Sequence, residues 1–190
     1  MKPTLNETER TELQNCLKHL NEAIESFETA EAKVEQLSKT LTLAPQALAK
    51  EFAGFDTDDE EAKKRIADLK LQIETAPHRI PVAERAQKEA ATSLMQACNR
   101  AQNLVEKITG PRLTRLELLI GEYLGRVWFN GWASPQIRQT DLFRMAVHFK
   151  TCHWNNTANN VHSRANGAVQ AIQTLLEERD LWLNLEDSKA

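Results

Sequence analysis

The stretch LQNCLKHLNEAIESF, residues 13–27, decides the fold because its large apolar side chains recur in alternating steps of four and three. In a helix this spacing places those side chains on one side. The side chains are Leu13, Leu17, Leu20, Ile24 and Phe27. Val34 and Leu41 continue the register, which predicts an apolar seam of coiled-coil type over about four heptads.

Capping residues and a proline predict the limits of this first helix. Asn6 or Thr8 is expected to cap its start. Its end is expected near Thr42, because Pro45 has no backbone N–H and forbids smooth continuation. A short helix is predicted to follow over about residues 45–53, and Gly54 closes it.

The acidic run at residues 56–61 predicts the start of a second helical arm, because carboxylates are favoured at helix N-termini. This arm carries an apolar stripe and is expected to be interrupted at residues 77–81, which begin and end with proline. A further helix then reaches about Thr109. Alanines in its stripe allow two helices to approach closely. The sequence therefore predicts an antiparallel hairpin.

Charge and aromatic content divide the chain at Gly110-Pro111, where a helix is expected to stop and restart. Residues 1–110 have a net charge of -4, whereas residues 111–190 have a net charge of +1. All four tryptophans and the single tyrosine lie after this point. No segment alternates with a period of two. We therefore predict an all-α fold, with a helical hairpin or coiled-coil region at 1–110 and a small aromatic-rich helical domain at 111–190.

The sequence offers no constellation of catalytic residues. A phosphate-binding glycine loop, a nucleophile elbow and a paired-carboxylate motif are all missing. His148, Cys152 and His153 lie close together in the sequence, but no paired metal-ligand spacing accompanies them. We predict that the protein is not an enzyme and binds no cofactor or metal.

A second interpretation is a nucleic-acid-binding regulator. Cations and aromatic side chains alternate in the C-terminal part, and such residues contact phosphates and stack on bases. The candidate surface, for a partner or for nucleic acid, comprises Trp132, Arg138, Arg144, Lys150, Trp154 and Arg164. Residues 140–183 fit a helix-turn-helix arrangement, and residues 169–181 resemble the end of a winged-helix recognition helix.

The succession of a long helix, a short insert, a second long helix and a helical C-terminal part resembles the polarity-suppression proteins of satellite phages. RIADLKLQIE at residues 65–74 is similar to the start of their second long helix. The resemblance covers the first 110 residues. It implies a helical dimer that binds capsids and inhibits the Rho transcription terminator, and hence a phage-type regulatory or capsid-associated protein.

We predict from these observations a non-catalytic interaction protein. It is expected to form a homodimer and to bind another protein through the apolar seam at Leu13, Leu17, Leu20, Ile24, Phe27 and Val34. The absence of a long uncharged apolar run and of a signal-peptide core argues against a membrane partner. Three widely spaced cysteines favour a reducing cytoplasm.

Overall fold

A computed structural model describes residues 5–54, 59–127 and 160–177, and for residues 116–127 only the course of the helix. These residues are helical and form α1 at Glu7–Ala53, α2 at Glu60–Val127 and α3 at Val161–Glu177. The described part of the chain contains no strand, which confirms the all-α prediction. The predicted aromatic-rich domain falls mostly outside the described residues.

Each helix begins at a side chain that accepts backbone N–H groups. The N–H of Glu9 donates to Oδ1 of Asn6 at 2.8 Å, and the N–H of Asn6 donates to Oε2 of Glu9 at 2.9 Å. This reciprocal pair is a capping box. Asp59 and Asn160 accept N–H groups of the first turns of α2 and α3 in the same way. Of the two caps predicted for the first helix, Asn6 and Thr8, the structure has Asn6.

The predicted helix breaks at prolines are wrong. α1 passes through Pro45 instead of ending near Thr42, and α2 passes through residues 77–81 and through Gly110-Pro111. All these prolines lie on exposed faces, where water reaches the carbonyl that a proline leaves without an N–H partner. Packing of the opposite, apolar faces therefore outweighs the local cost of each proline.

Threonine hydroxyls bind backbone carbonyls just before three of these prolines. Thr42, Thr75 and Thr109 each donate to the carbonyl four residues earlier, at 3.0, 2.7 and 2.7 Å. Such bonds compete with the regular helical ladder and accompany local bending. Each hydroxyl adds a donor to a carbonyl two or three residues before the carbonyl that loses its N–H partner at the proline.

The chain divides into two compact units. Unit 1 combines Met1–Glu22 with Leu94–Ala190, and unit 2 is Ala23–Ser93. Within each unit α1 and α2 are antiparallel: Glu9 meets Arg112 in unit 1, and Glu51 meets Arg65 in unit 2. The division into domains at 1–110 and 111–190 stays a prediction.

Packing differs sharply between the two units. Among the described residues, all nine of the largest fully buried side chains belong to unit 1: Leu13, Leu20, Leu94, Cys98, Val105, Ile108, Thr109, Ile172 and Leu175. The core of unit 2 is mostly alanine, with Phe27, Leu37 and Ile66 as its large members. Small side chains bring helices together but bury little apolar area, so unit 2 gains less from its own packing.

Candidate interaction surfaces

Contacts within the protein bury or half-bury all six side chains of the predicted seam. Leu13, Leu20 and Phe27 are buried against the rest of the protein, whereas Leu17, Ile24 and Val34 are half-buried. A contact of these six positions with a second molecule stays a prediction. Because half of the set is already covered, an outside partner needs other side chains.

The seam also leaves its predicted register after Val34. Leu41 is 40% exposed, whereas Leu37 and Ala44 are buried in its place. A strict seven-residue pattern drifts by about 20° per heptad on a straight α-helix, so the buried stripe moves to other positions. Within the single chain the buried stripe therefore passes to Leu37 and Ala44, and a contact of Leu41 with a second molecule stays a prediction.

A buried ion pair anchors the start of α1 in unit 1. The two terminal nitrogens of Arg112 donate to Oε1 and Oε2 of Glu9 at 3.0 and 2.8 Å. Nη1 of Arg112 also donates to the carbonyl of Ile108 at 2.6 Å. Arg112 is only 7% exposed. We assign the pair a role in stability, because the guanidinium of Arg112 forms its hydrogen bonds with Glu9 and Ile108 of the same chain.

Of the predicted nucleic-acid surface, the structure describes Arg164 alone. Its Nη1 donates to Sδ of Met95 at 3.4 Å, and the side chain is half-buried in unit 1. The five other members, Trp132, Arg138, Arg144, Lys150 and Trp154, lie outside the described residues. Arg164 is therefore oriented by the protein core, and the nucleic-acid interpretation stays a prediction.

Two thiols lie in unit 1 near cationic side chains. Burial raises the pKa of the Cys98 thiol, and the charge of Arg164 partly opposes that rise. Burial likewise raises the pKa of Cys16, against the opposing effect of Arg100. Both cysteines are free. A raised pKa disfavours the thiolate, which is the nucleophile and the metal ligand.

The described residues contain no group of three or more His, Cys, Asp and Glu side chains that could hold a metal ion. His148, Cys152 and His153 fall outside those residues. Within the same described part of the chain, no helix is both long enough and apolar enough to cross a membrane.

Among the residues whose side chains the structure describes, the exposed large apolar ones all lie in unit 2. The described residues contain five of them: Leu41, Leu43, Phe52, Leu71 and Val82. Leu71 and Val82 are the most exposed, at 59% and 70%. They are eleven residues apart, or about three helical turns, so they share one face of α2. Phe52 differs from the others because Nζ of Lys70 lies 5.2 Å from its ring centre.

A cleft between α1 and α2 lies on one flank of unit 2. It consists of two adjoining cavities of about 430 and about 250 Å³, and Gln36, Thr40 and Gln72 line both. The smaller cavity is bordered by Lys33 from α1 and Arg79 from α2. We call this feature the unit 2 cleft.

Comparison with protein-family models, with curated proteins and with solved structures finds no match to this chain. Function must therefore be argued from the surfaces described above.

Sequence reasoning missed both the Glu9–Arg112 pair and the cations of the cleft. The pair joins residues 103 positions apart, and no local pattern connects them. Lys33 and Arg79 do carry a sequence signal: neither has an acidic residue three or four positions away on its helix. Oppositely charged pairs at that spacing stabilise helices, but Lys50, Arg100 and Lys107 lack one as well, so this signal does not single out the cleft.

Proposed function

We propose that the protein is a non-catalytic interaction protein of the cytoplasm, which forms a homodimer and binds another protein through unit 2. One observation carries the proposal: the described exposed large apolar side chains all belong to the unit with the weaker core. Burying a leucine or valine side chain contributes about 1.5–3 kcal/mol, so these side chains gain most from a partner.

The outer face of α2 is the proposed dimer contact. Leu71 and Val82 form an apolar stripe on it, and a symmetric dimer uses the same patch on both chains. Because of the two-fold symmetry, the assembly then buries two copies of each side chain. This role replaces the seam through Leu13, Leu20 and Phe27, whose side chains the chain itself covers.

The mass of the full chain in solution tests the dimer. At micromolar concentration we expect twice the chain mass by light scattering after gel filtration. The double variant Leu71→Glu with Val82→Glu is expected to have the mass of one chain. Ser38→Glu with Ala49→Glu is the matched control, because both residues are exposed on α1, are also eleven positions apart and add the same charge away from the proposed contact. A single-chain mass for the unaltered protein contradicts the dimer.

The second half of the proposal concerns a different protein. The resemblance to polarity-suppression proteins makes capsid proteins and a Rho-type terminator the first partners to test. We expect the full chain to retain a partner from lysate after nuclease treatment. Loss of all partners on nuclease treatment would instead favour the nucleic-acid interpretation.

A further inference from the structure

The two ends of the unit 2 cleft differ in chemistry. Aliphatic side chains form much of the wall of the larger cavity: Ala32, Leu43, Ala44, Ala47 and Leu69. The charges in this wall neutralise each other, because Nζ of Lys39 lies 2.6 Å from Oε1 of Glu35. This end of the cleft favours an apolar occupant.

The smaller cavity is cationic. Among the described residues that line it, Lys33 and Arg79 carry charge and none is a carboxylate. Neither cation forms an ion pair with any described residue. The amides of Gln36 and Gln72 add hydrogen-bond donors to the same walls.

Lys33 and Arg79 form a local positive charge in a unit whose net charge is negative. Residues 23–93 carry ten basic and fourteen acidic side chains, yet the wall of the smaller cavity contains only the basic kind. Complementary charge guides association and selects partners. The smaller cavity therefore selects a negatively charged group.

The length of the cleft distinguishes a chain segment from a free ion. Its α1 wall extends from Ala32 to Ala47, a rise of about 22 Å at about 1.5 Å per residue. That length matches about four turns of a bound helix. Helices that bind such grooves present apolar side chains at spacings of three and four.

We propose that the unit 2 cleft binds an acidic amphipathic segment of a partner protein. Aliphatic side chains of the segment lie against Leu43 and Leu69, and one of its carboxylates lies at Lys33 and Arg79. The inference rests on the proposed function, since it names the chemistry of the partner. Leu71 and Val82 of the dimer contact do not line the cleft, although Thr75 and Arg79 of its wall lie within one helical turn of them.

A synthetic helical peptide tests the cleft directly. The probe is a fluorescent peptide of about twenty residues, with leucine and glutamate at amphipathic spacing. Its counterpart has lysine in place of each glutamate. Fluorescence anisotropy with the full chain is expected to show saturable binding of the acidic peptide, weaker binding at high salt, and no binding of the lysine peptide.

Charge reversal in the cleft provides the decisive comparison. Lys33→Glu with Arg79→Glu is expected to weaken binding of the acidic peptide at least about tenfold, and Lys33→Gln with Arg79→Gln to weaken it less. Lys50→Glu with Lys88→Glu is the control, because it changes the same charge on the same two helices outside the cleft. Circular dichroism checks that each variant keeps its helices.

Three results would overturn the proposal: no binding of the acidic peptide, equal binding of both peptides, or equal losses in the cleft and control variants. Loss of the dimer mass in the cleft variant, without peptide binding to the unaltered chain, would assign the cleft to a second copy. A dimer that persists while the peptide fails to bind would contradict this inference alone. A single-chain mass with intact peptide binding would contradict the dimer alone.

Discussion

Arg112 binds the carboxylate of Glu9 through both of its terminal nitrogens, although 103 residues separate the two side chains. The same carboxylate accepts the backbone N–H of Asn6, so one side chain caps α1 and joins it to α2. Removing one partner of a buried ion pair leaves the other charge without compensation. The start of α1 therefore depends on a residue far along the chain.

Replacement of Arg112 tests this dependence. Arg112→Ala is expected to lower the free energy of unfolding by about 3 kcal/mol, because Glu9 then stays partly buried without its cation. Glu9→Gln keeps an acceptor for the capping N–H but leaves the buried guanidinium of Arg112 without its carboxylate, so a comparable loss is expected. Urea unfolding followed by circular dichroism measures both changes.

An exposed pair between the same helices provides the control for Arg112. Nζ of Lys107 lies 3.5 Å from Oε2 of Glu12, and both side chains are well exposed. Lys107→Ala is expected to change the free energy of unfolding by less than about 1 kcal/mol. Comparable losses for Lys107→Ala and Arg112→Ala would contradict the role assigned to burial.

Pro45→Ala is expected to stabilise the protein. A proline inside a helix costs about 3 kcal/mol relative to alanine, and part of the gain is offset by the greater freedom of the unfolded chain. We expect the free energy of unfolding to rise by about 1–3 kcal/mol in a urea titration. Gln46→Ala, at the next exposed position, is expected to stay within about 0.5 kcal/mol. An unchanged or lower stability for Pro45→Ala would show that α1 requires its proline.

The cap of α2 is expected to weaken in acid. Hydrogen bonds from the backbone N–H groups of Ala62 and Glu61 hold the pKa of Asp59 below its ordinary value of 3.8. A lowered pKa means that the folded state favours the carboxylate. The contribution of ionised Asp59 to the stability of the folded state is therefore complete above pH 3.8 and is lost as the pH falls through its lowered pKa. The protection factors of the amides in the first turn of α2, which correct exchange rates for their intrinsic dependence on pH, are expected to fall over that range.

Asp59→Asn separates the charge from the hydrogen bonds. Asparagine also caps helices, so the turn is expected to form but to lose its dependence on pH in that range. The first turn of α3, which Asn160 caps, serves as an internal reference. The same acid dependence in the variant would contradict the assignment to Asp59.

Thiol modification is expected to distinguish the two described cysteines. In a Cys152→Ser background, Cys16 should react with Ellman's reagent before Cys98, because Cys98 has no exposed surface. Burial raises the pKa of both thiols, so both should react more slowly than free cysteine at neutral pH. Urea should make the two rates equal. Equal rates in the folded protein would contradict the described packing of Cys98.

Local chemistry explains which parts of the fold the sequence predicts well. Asn6, one of two predicted caps, and Asp59, within the acidic run predicted to start the second arm, cap helices through contacts within three residues, so short-range patterns point to both. The buried positions Leu13, Leu20 and Phe27 likewise follow from a short periodic pattern. The sequence predictions agree best with the structure where a feature depends on residues within a few helical turns of each other.

The errors arise where distant packing decides. Pro45 is a strong local signal for a helix end, but the apolar faces of α1 and α2 hold the helix together across it. Leu41 lies outside the stripe that the chain itself buries, because that stripe drifts toward Leu37 and Ala44. The cleft also depends on two helices, so neither Lys33 nor Arg79 reveals it when considered alone.

The order in which the two units become complete follows from their composition. A protein is synthesised from its N-terminus, and its compact units fold as their residues appear. Unit 2 is one continuous segment and is complete once Ser93 has been added. The ion pair of Glu9 in unit 1, in contrast, can form only after Arg112 has been synthesised. During synthesis, all residues of unit 2 are therefore available before those of unit 1.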